Sequence, residues 1–322
     1  MTTNVIGDIS DDVWDTFIDN SPHGSVFSKT PFIKALEIPH EKLFFEVDEK
    51  VVASALIVEP NSPNFCASYP CSLYQGVALA PIVGGIHKLV PKTLKVIEAI
   101  LPALVDRYDN IGLCLHHAFH DLRGFQWLNY HTPERGTFDF NLRYSGIIDL
   151  NQYSSFEDYL ATIRSVRRQE YKKAKKQNLS MIESDDTESF LKLYKLTFER
   201  QNIELNPSVL SNVKNLVNAT VSKGIGRLVF CKDIDGAIHS AIVTLHDEHC
   251  TYYMFGATDP NFRSSGASTS LVLDSIKHSF ASNIMHFDMV GINSPQRGDY
   301  KTSFNAEPTP YHFITLRKPS PT

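Results

Sequence analysis

Long apolar runs are missing from these 322 residues: none approaches the roughly 20 consecutive residues that a membrane-spanning helix needs. The opening residues, MTTNVIGDISDD, are acidic and polar, so no signal peptide is apparent and a cytoplasmic location is expected. Cysteine is sparse, with Cys66, Cys71, Cys114, Cys231 and Cys250 forming no CxxC pair and leaving an odd count, so reduced thiols are expected. Positive charge is not in excess. The net charge of −5 argues against general affinity for nucleic acid, although a local basic patch is compatible with it. His116, His117 and His120 lack the glutamate of an HExxH helix and have no cysteine at zinc-finger spacing, so no metal is expected and these histidines read as cleft-lining or structural. No Gly-x-Ser-x-Gly elbow supports a serine nucleophile.

What is present is an ordinary globular composition, 42% hydrophobic and 21% charged, in a chain long enough for two domains. In the first half, Ser10 is a candidate cap for a helix carrying Trp14, Phe17 and Ile18, and Thr30-Pro31 opens another. Residues 43–58 read as a hairpin and CSLYQGVAL as a further strand. Pro91 is expected to begin a helix that Pro102 bends or interrupts, before short strands at 111–117 and 137–150. In the second half, Ser154 with Glu157 forms a capping box for a helix running to about Gln177, and Asp185 with Glu188 repeats it. A helix over 207–222 stops near Gly224, and 227–247 is a hairpin turning at Asp235-Gly236. A strand (CTYYMFGAT), a helix over 267–281 and strands IMHFDMVG and YHFITLRK complete the chain. The order helices, hairpin, strand, helix, strand thus occurs twice. We read a duplicated α/β (α+β) unit, divided as 1–149 and 150–322, with a cleft between the halves.

The segment TYYMFGATDPNFRSSGASTSLVLDSI (251–276) carries the clearest chemical signal. A strand feeds a helix whose first N–H groups and dipole form a natural anion site. Arg263 adds a charge there, and Gly266 permits close approach of a pyrophosphate, with Ala267 and Ser268 following.

Several stretches share a family likeness. SPHGSVFSKTPFIKAL (21–36), SLYQGVAL (72–79), the basic run IRSVRRQEYKKAKKQNL (163–179), the 251–276 segment and HFDMVGINSPQRGDYKTSFNAEP (286–308) stand in the order and spacing of one group. The chain resembles the tandem acyltransferases that join two GNAT-like domains, the FemAB/FemX peptidoglycan aminoacyltransferases and their acyl-CoA-using relatives. That resemblance implies two mixed sheets flanked by helices, with the acceptor on the first domain and acyl-donor binding and catalysis on the second. Its GNAT loop, Gln/Arg-x-x-Gly-x-Gly/Ala, is partial here, as Arg263, Gly266 and Ser268. The family's Phe-Lys is Tyr300-Lys301, and its Phe-Gly is Phe304-Asn305.

By that resemblance a backbone N–H of Tyr252–Phe255 meets the thioester carbonyl, a contact worth on the order of 3 kcal/mol if aimed at the developing oxyanion. Phe255 joins the donor site, and Tyr253 orients substrate or donates to the leaving group. Lys301 lies near the reacting carbonyl. Asp288, set in an apolar strand, is expected to have a raised pKa as a base, or else to tie down the turn that follows. Arg167 and Arg168 are the members of the basic run expected at a phosphorylated substrate or tRNA. Tyr300 and, in the first domain, Tyr74, Gly76, His116 and His117 are expected to bind the acceptor. The reading is an N-acyltransferase from acyl-CoA to an amine of a sugar-nucleotide, glycan or cell-envelope precursor. Its alternatives are aminoacyl-tRNA-dependent transfer to a peptidoglycan precursor and a non-catalytic binding protein that keeps the fold. Nothing in the pattern specifies an oligomeric state.

Overall fold

The computed structural model describes residues 3–59, 71–200 and 202–318; Cys66 lies outside them. The chain divides into two compact units at Arg143/Tyr144 and again at Thr309/Pro310. The segment after Thr309 therefore belongs with the first unit, whereas the order of elements had assigned it to the second. The strand that links the units, expected to close the first domain, continues past the division.

The first unit runs β1 (Thr3–Ile6), α1 (Asp11–Asn20), α2 (Thr30–Leu36), β2 (His40–Val47), β3 (Lys50–Val58), β4 (Val77–Leu79), α3 (Ile86–Arg107), β5 (Asn110–Leu115), α4 (Arg123–Gln126) and the start of β6 (Phe138–Asp149). Strands β1–β4 form an antiparallel ladder, turning between β2 and β3 at Asp48 and Glu49, both with positive φ. Ser10 stands at the N-cap of α1 but its side chain makes no capping bond. Only Val77–Leu79 of the expected CSLYQGVAL strand joins the ladder, and Gln75 instead bridges Cys114 on β5. Both prolines of α3 lie inside it. The helix starts at Ile86, and Pro102 does not interrupt it, because Ile97, Ile100, Leu101, Leu104 and Val105 bury a continuous stripe in the unit's core. One lost hydrogen bond is outweighed by that packing.

The second unit takes in the rest of β6 and then α5 (Phe156–Thr162), α6 (Ser165–Lys176), β7 (Ser180–Glu183), α7 (Thr187–Glu199), α8 (Pro207–Ser222), β8 (Gly226–Lys232), β9 (Ile238–His246), β10 (Cys250–Thr258), α9 (Ala267–Ala281), β11 (His286–Asp288), α10 (Pro295–Thr302) and the start of β12 (Glu307–Arg317). Here the strand order is β6-β11-β10-β9-β8-β7. All these neighbours pair antiparallel except β10 and β11, which are parallel. Leu271, Val272, Leu273 and Ile276 of α9 join Val229, Ile242 and Phe287 in the core.

Three local readings shift. The expected helix to Gln177 is two helices, because Ile163 is extended and buried and the Arg164 N–H donates to the Ser303 carbonyl at 3.1 Å. The caps fall one residue later than read: Ser155 accepts from the Asp158 N–H, and Asp186 from the Ser189 N–H. In each place two adjacent cap-forming residues compete, and the chain's entry path selects the second.

Candidate active site

Strand β10 positions the site by leaving its neighbour. It pairs with β11 only from Cys250↔His286 to Tyr252↔Asp288, and then runs on to Thr258 while β11 ends. On its other side the register with β9 slips between Tyr253 and Phe255, so Met254 is an extra, bulged residue. Tyr253, Met254, Phe255 and Gly256, the residues just past the parting, form one wall of a cavity of about 770 Å³. Tyr194, Thr197, Phe198 and Arg200, from the end of α7, form a second. Arg263 lines it from the loop before α9, and Ser294, Gln296, Tyr300 and Lys301 from α10 and its N-cap. Among the described residues the lining holds three cations, Arg200, Arg263 and Lys301, and no carboxylate. A concave, acid-free surface with fixed positive charge favours an anionic ligand.

Tyr253 is placed by the glycine beside it. A Cβ on Gly256 would lie 2.1 Å from the Tyr253 hydroxyl, so that hydroxyl rests where any side chain would displace it. Burial, with Tyr300 adding to it, raises the Tyr253 phenol above its usual range, so it is a protonated donor at neutral pH. The Lys301 ammonium stands 5.6 Å from the Tyr253 ring centroid.

Asp288 and Lys301 meet at a turn. Val290 and Gly291 both have positive φ, 52° and 46°, and a β-branched residue there is strained by on the order of 1–3 kcal/mol. Asp288 Oδ1 accepts the Val290 N–H at 2.7 Å and the Ser145 hydroxyl, while Lys301 Nζ donates to the Val290 carbonyl and, at 3.2 Å, to that of Gly291. Asp288 is 1% exposed and does not line the cavity. Of its two expected roles, general base and turn anchor, the geometry displays the anchor. A buried carboxylate beside free N–H groups is recruited by them before it can serve a distant amine.

The donor-binding set divides. Phe255 and Arg263 line the cavity; Gly266, Ala267 and Ser268 do not. Gly266 has φ 84°, and a Cβ there would lie 2.3 Å from the Glu170 carbonyl. The close approach that requires glycine is therefore made by the backbone of α6, in place of the expected pyrophosphate. The Ala267 N–H donates to Ser265 Oγ at 3.3 Å, and Ser268 reaches the cavity only through Tyr300, whose hydroxyl is 3.2 Å from its own.

The basic run is largely committed within the protein. Arg167 stacks 4.9 Å from the Tyr300 centroid and donates to Glu170 Oε2 at 2.7 Å and Thr269 Oγ1 at 3.3 Å. Arg168 donates to the Ala161 carbonyl, and Arg164 pairs with Asp299 at 2.9 Å. Lys172, Lys173, Lys175 and Lys176 stay exposed. Tyr300, expected at the acceptor, is both a cavity wall and the platform under Arg167.

In the first unit, Tyr74 is buried with its ring 4.4 Å from His116, 5.6 Å from His117 and 5.5 Å from Tyr311. Gly76, at φ 139°, has Leu113 where a Cβ would be, so packing accounts for it. His23, not singled out from the sequence, stacks on Phe119 at 3.8 Å. Burial, then His120 and His117, lower its pKa to about 3. Among the described residues no group of three or more His, Cys, Asp or Glu could hold a metal ion, and no helix is long and apolar enough to cross a membrane.

The sequence reading also missed Arg200, Thr197 and the segment Ser294–Gln296. Tyr194, Thr197 and Phe198 stand at helical spacing on α7, and only that helix's position beside β10 gives them a face toward the cavity. The turn-rich GINSPQ stretch offered Pro295, at the first position of α10, as the one overlooked signal.

Residues 161–302 match the acetyltransferase (GNAT) domain. No curated protein matches the sequence. Among solved structures, that of FemX superposes with a TM-score of 0.71 at 13% identity, covering 97% of each chain. A tandem GNAT protein from the clavulanic acid biosynthesis pathway gives 0.55 at 11% identity over 99% of each, and L-PGS from Bacillus licheniformis 0.53 at 10% identity over 98% of this chain and 94% of that one. Residues 161–302 thus carry a GNAT acetyltransferase domain, and the chain has the fold of two GNAT-like domains of α/β construction. It is an acyltransferase.

Proposed function

We propose that the protein moves an acyl group from acyl-CoA to an amine of a sugar-nucleotide, glycan or cell-envelope precursor. The observation that carries this reading is the acid-free cavity where β10 parts from β11, with Arg200, Arg263 and Lys301 on its wall. The donor is recognised there by its phosphates, which Arg263 and Arg200 meet, while the thioester lies along Tyr253–Phe255. The amine nitrogen attacks the thioester carbonyl, an N–H at the Met254 bulge steadies the oxyanion, and the carbon–sulfur bond then breaks. The Tyr253 hydroxyl donates a hydrogen bond to the leaving thiolate, which takes up through water the proton that the amine loses. Lys301 and Asp288 hold the Val290–Gly291 turn beside the reacting groups.

An aminoacyl-tRNA donor is the second reading, favoured by the exposed Lys172, Lys173, Lys175 and Lys176 of α6. Calorimetric titration of the purified protein with acetyl-CoA and with charged tRNA separates the two. Saturable acetyl-CoA binding supports the first. Binding of tRNA alone, steeply dependent on salt, replaces it with the second, and binding of neither favours a non-catalytic role.

A further inference from the structure

Arg263 reaches the cavity from the loop 259–266, which is held by its own turns and by contacts from β9 and α6. The Asp259 N–H donates to the His239 carbonyl at 3.0 Å. Phe262 then lays its ring flat on the imidazole of the same histidine, centroids 3.9 Å apart and planes within 5°. From α6, Lys173 Nζ donates to the Ser264 carbonyl at 2.5 Å. His239 therefore grips the loop twice, by backbone at its start and by ring at the residue before Arg263.

The imidazole is itself aimed. Its Nε2 is 3.0 Å from Asp233 Oδ2, and the other oxygen of Asp233 accepts the N–H groups of Asp235 and Ala237 at the β8–β9 turn. His239 is 5% exposed and its Nδ1 is buried with no hydrogen-bond partner. An orphaned buried nitrogen costs about 1–3 kcal/mol, which a plain aromatic ring would avoid. What the histidine gains over phenylalanine is the bond that fixes its plane.

We propose that His239 is a positioning residue for the donor's phosphates: stacked on Phe262 and oriented by Asp233, it holds Arg263 at the cavity wall. The inference rests on reading that cavity as the site of an anionic donor, and it concerns a residue that does not line it.

The test is a double-mutant cycle read by calorimetry with coenzyme A, together with backbone hydrogen exchange of residues 259–266. Phe262→Ala is expected to weaken coenzyme A binding about fivefold to tenfold in the wild-type background and less than about twofold in Arg263→Ala, since the two act through one group. His239→Phe, which keeps the stack but not the bond that fixes its plane, should lose part of that affinity, whereas His239→Gln, which keeps only a polar group toward Asp233, should lose as much as Phe262→Ala. Exchange over 259–266 should quicken in Phe262→Ala and His239→Gln, and to a smaller extent in His239→Phe. Equal loss from Phe262→Ala with and without Arg263, or no loss, overturns the inference. If the wild type does not bind coenzyme A, the donor reading falls on its own, and exchange decides the positioning role: an unaltered 259–266 segment in Phe262→Ala refutes it, a selectively quickened one upholds it.

Discussion

Arginine side chains play opposite parts here, and the difference is one of neighbours. Arg167 spends its charge on Glu170 and its face on Tyr300, while Arg200 and Arg263 line a cavity with no carboxylate among its described residues. Arg263→Ala and Arg200→Ala should each weaken acetyl-CoA binding about tenfold, near 1.4 kcal/mol, with unfolding midpoints unchanged; calorimetry and thermal melts read both. Unchanged affinity in Arg263→Ala would remove the donor site. Lys301→Ala should lower turnover more than donor affinity, since its ammonium holds the carbonyls of a strained turn. Adding Val290→Gly to Lys301→Ala should recover part of the lost stability, because glycine accepts φ near 52° without the cost that valine bears. A double variant as unstable as Lys301→Ala alone would show that the turn is not strained.

At the scale of elements, two glycines set how closely parts of the second unit approach. Gly266→Ala places a methyl 2.3 Å from the Glu170 carbonyl at a left-handed position, so α6 must move off the start of α9. We expect a loss of roughly 2 kcal/mol or more in urea unfolding, and a value within 0.5 kcal/mol of wild type, roughly the scatter of surface changes, would refute the contact. Gly256→Ala acts differently, because its methyl meets the hydroxyl of one side chain, Tyr253. Turnover should fall to the level of Tyr253→Phe with little change in donor affinity, and the two substitutions together should be no worse than either. Independent, additive losses would separate Gly256 from Tyr253. The elements themselves were legible where a local rule was strong: CTYYMFGAT and 267–281 form the expected strand and helix, and Asp235-Gly236 lies in the β8–β9 turn. They were illegible where two signals competed, as at Ser154 and Ser155, or where packing overrode a breaker, as at Pro102.

For the whole molecule, buried histidines set the acid sensitivity, and His23 of the first unit is shifted furthest, with His246, His278 and His312 shifted the same way. The His23 pKa falls from 6.5 to about 3, chiefly through burial. The unfolded chain therefore binds the proton more readily than the folded one, and stability is full above pH 6.5 and lost as pH falls toward 3. Between pH 7.5 and 5 the loss should reach up to about 2 kcal/mol in urea unfolding, and His23→Phe, which can still stack on Phe119, should flatten it. An equal pH slope in the variant would assign the acid sensitivity elsewhere.

Taken alone, the order of residues determined the repeated succession of helices and strands, the likeness to a tandem acyltransferase and the chemical types available at its loops, because periodicity, caps and turn residues act within a few positions along the chain. Only the tertiary structure decided which charges are spent and which remain to line a cavity. That choice depends on strands parting at Tyr252 and on α6 settling over Gly266, contacts between segments far apart in sequence, where no local rule fixes the distance.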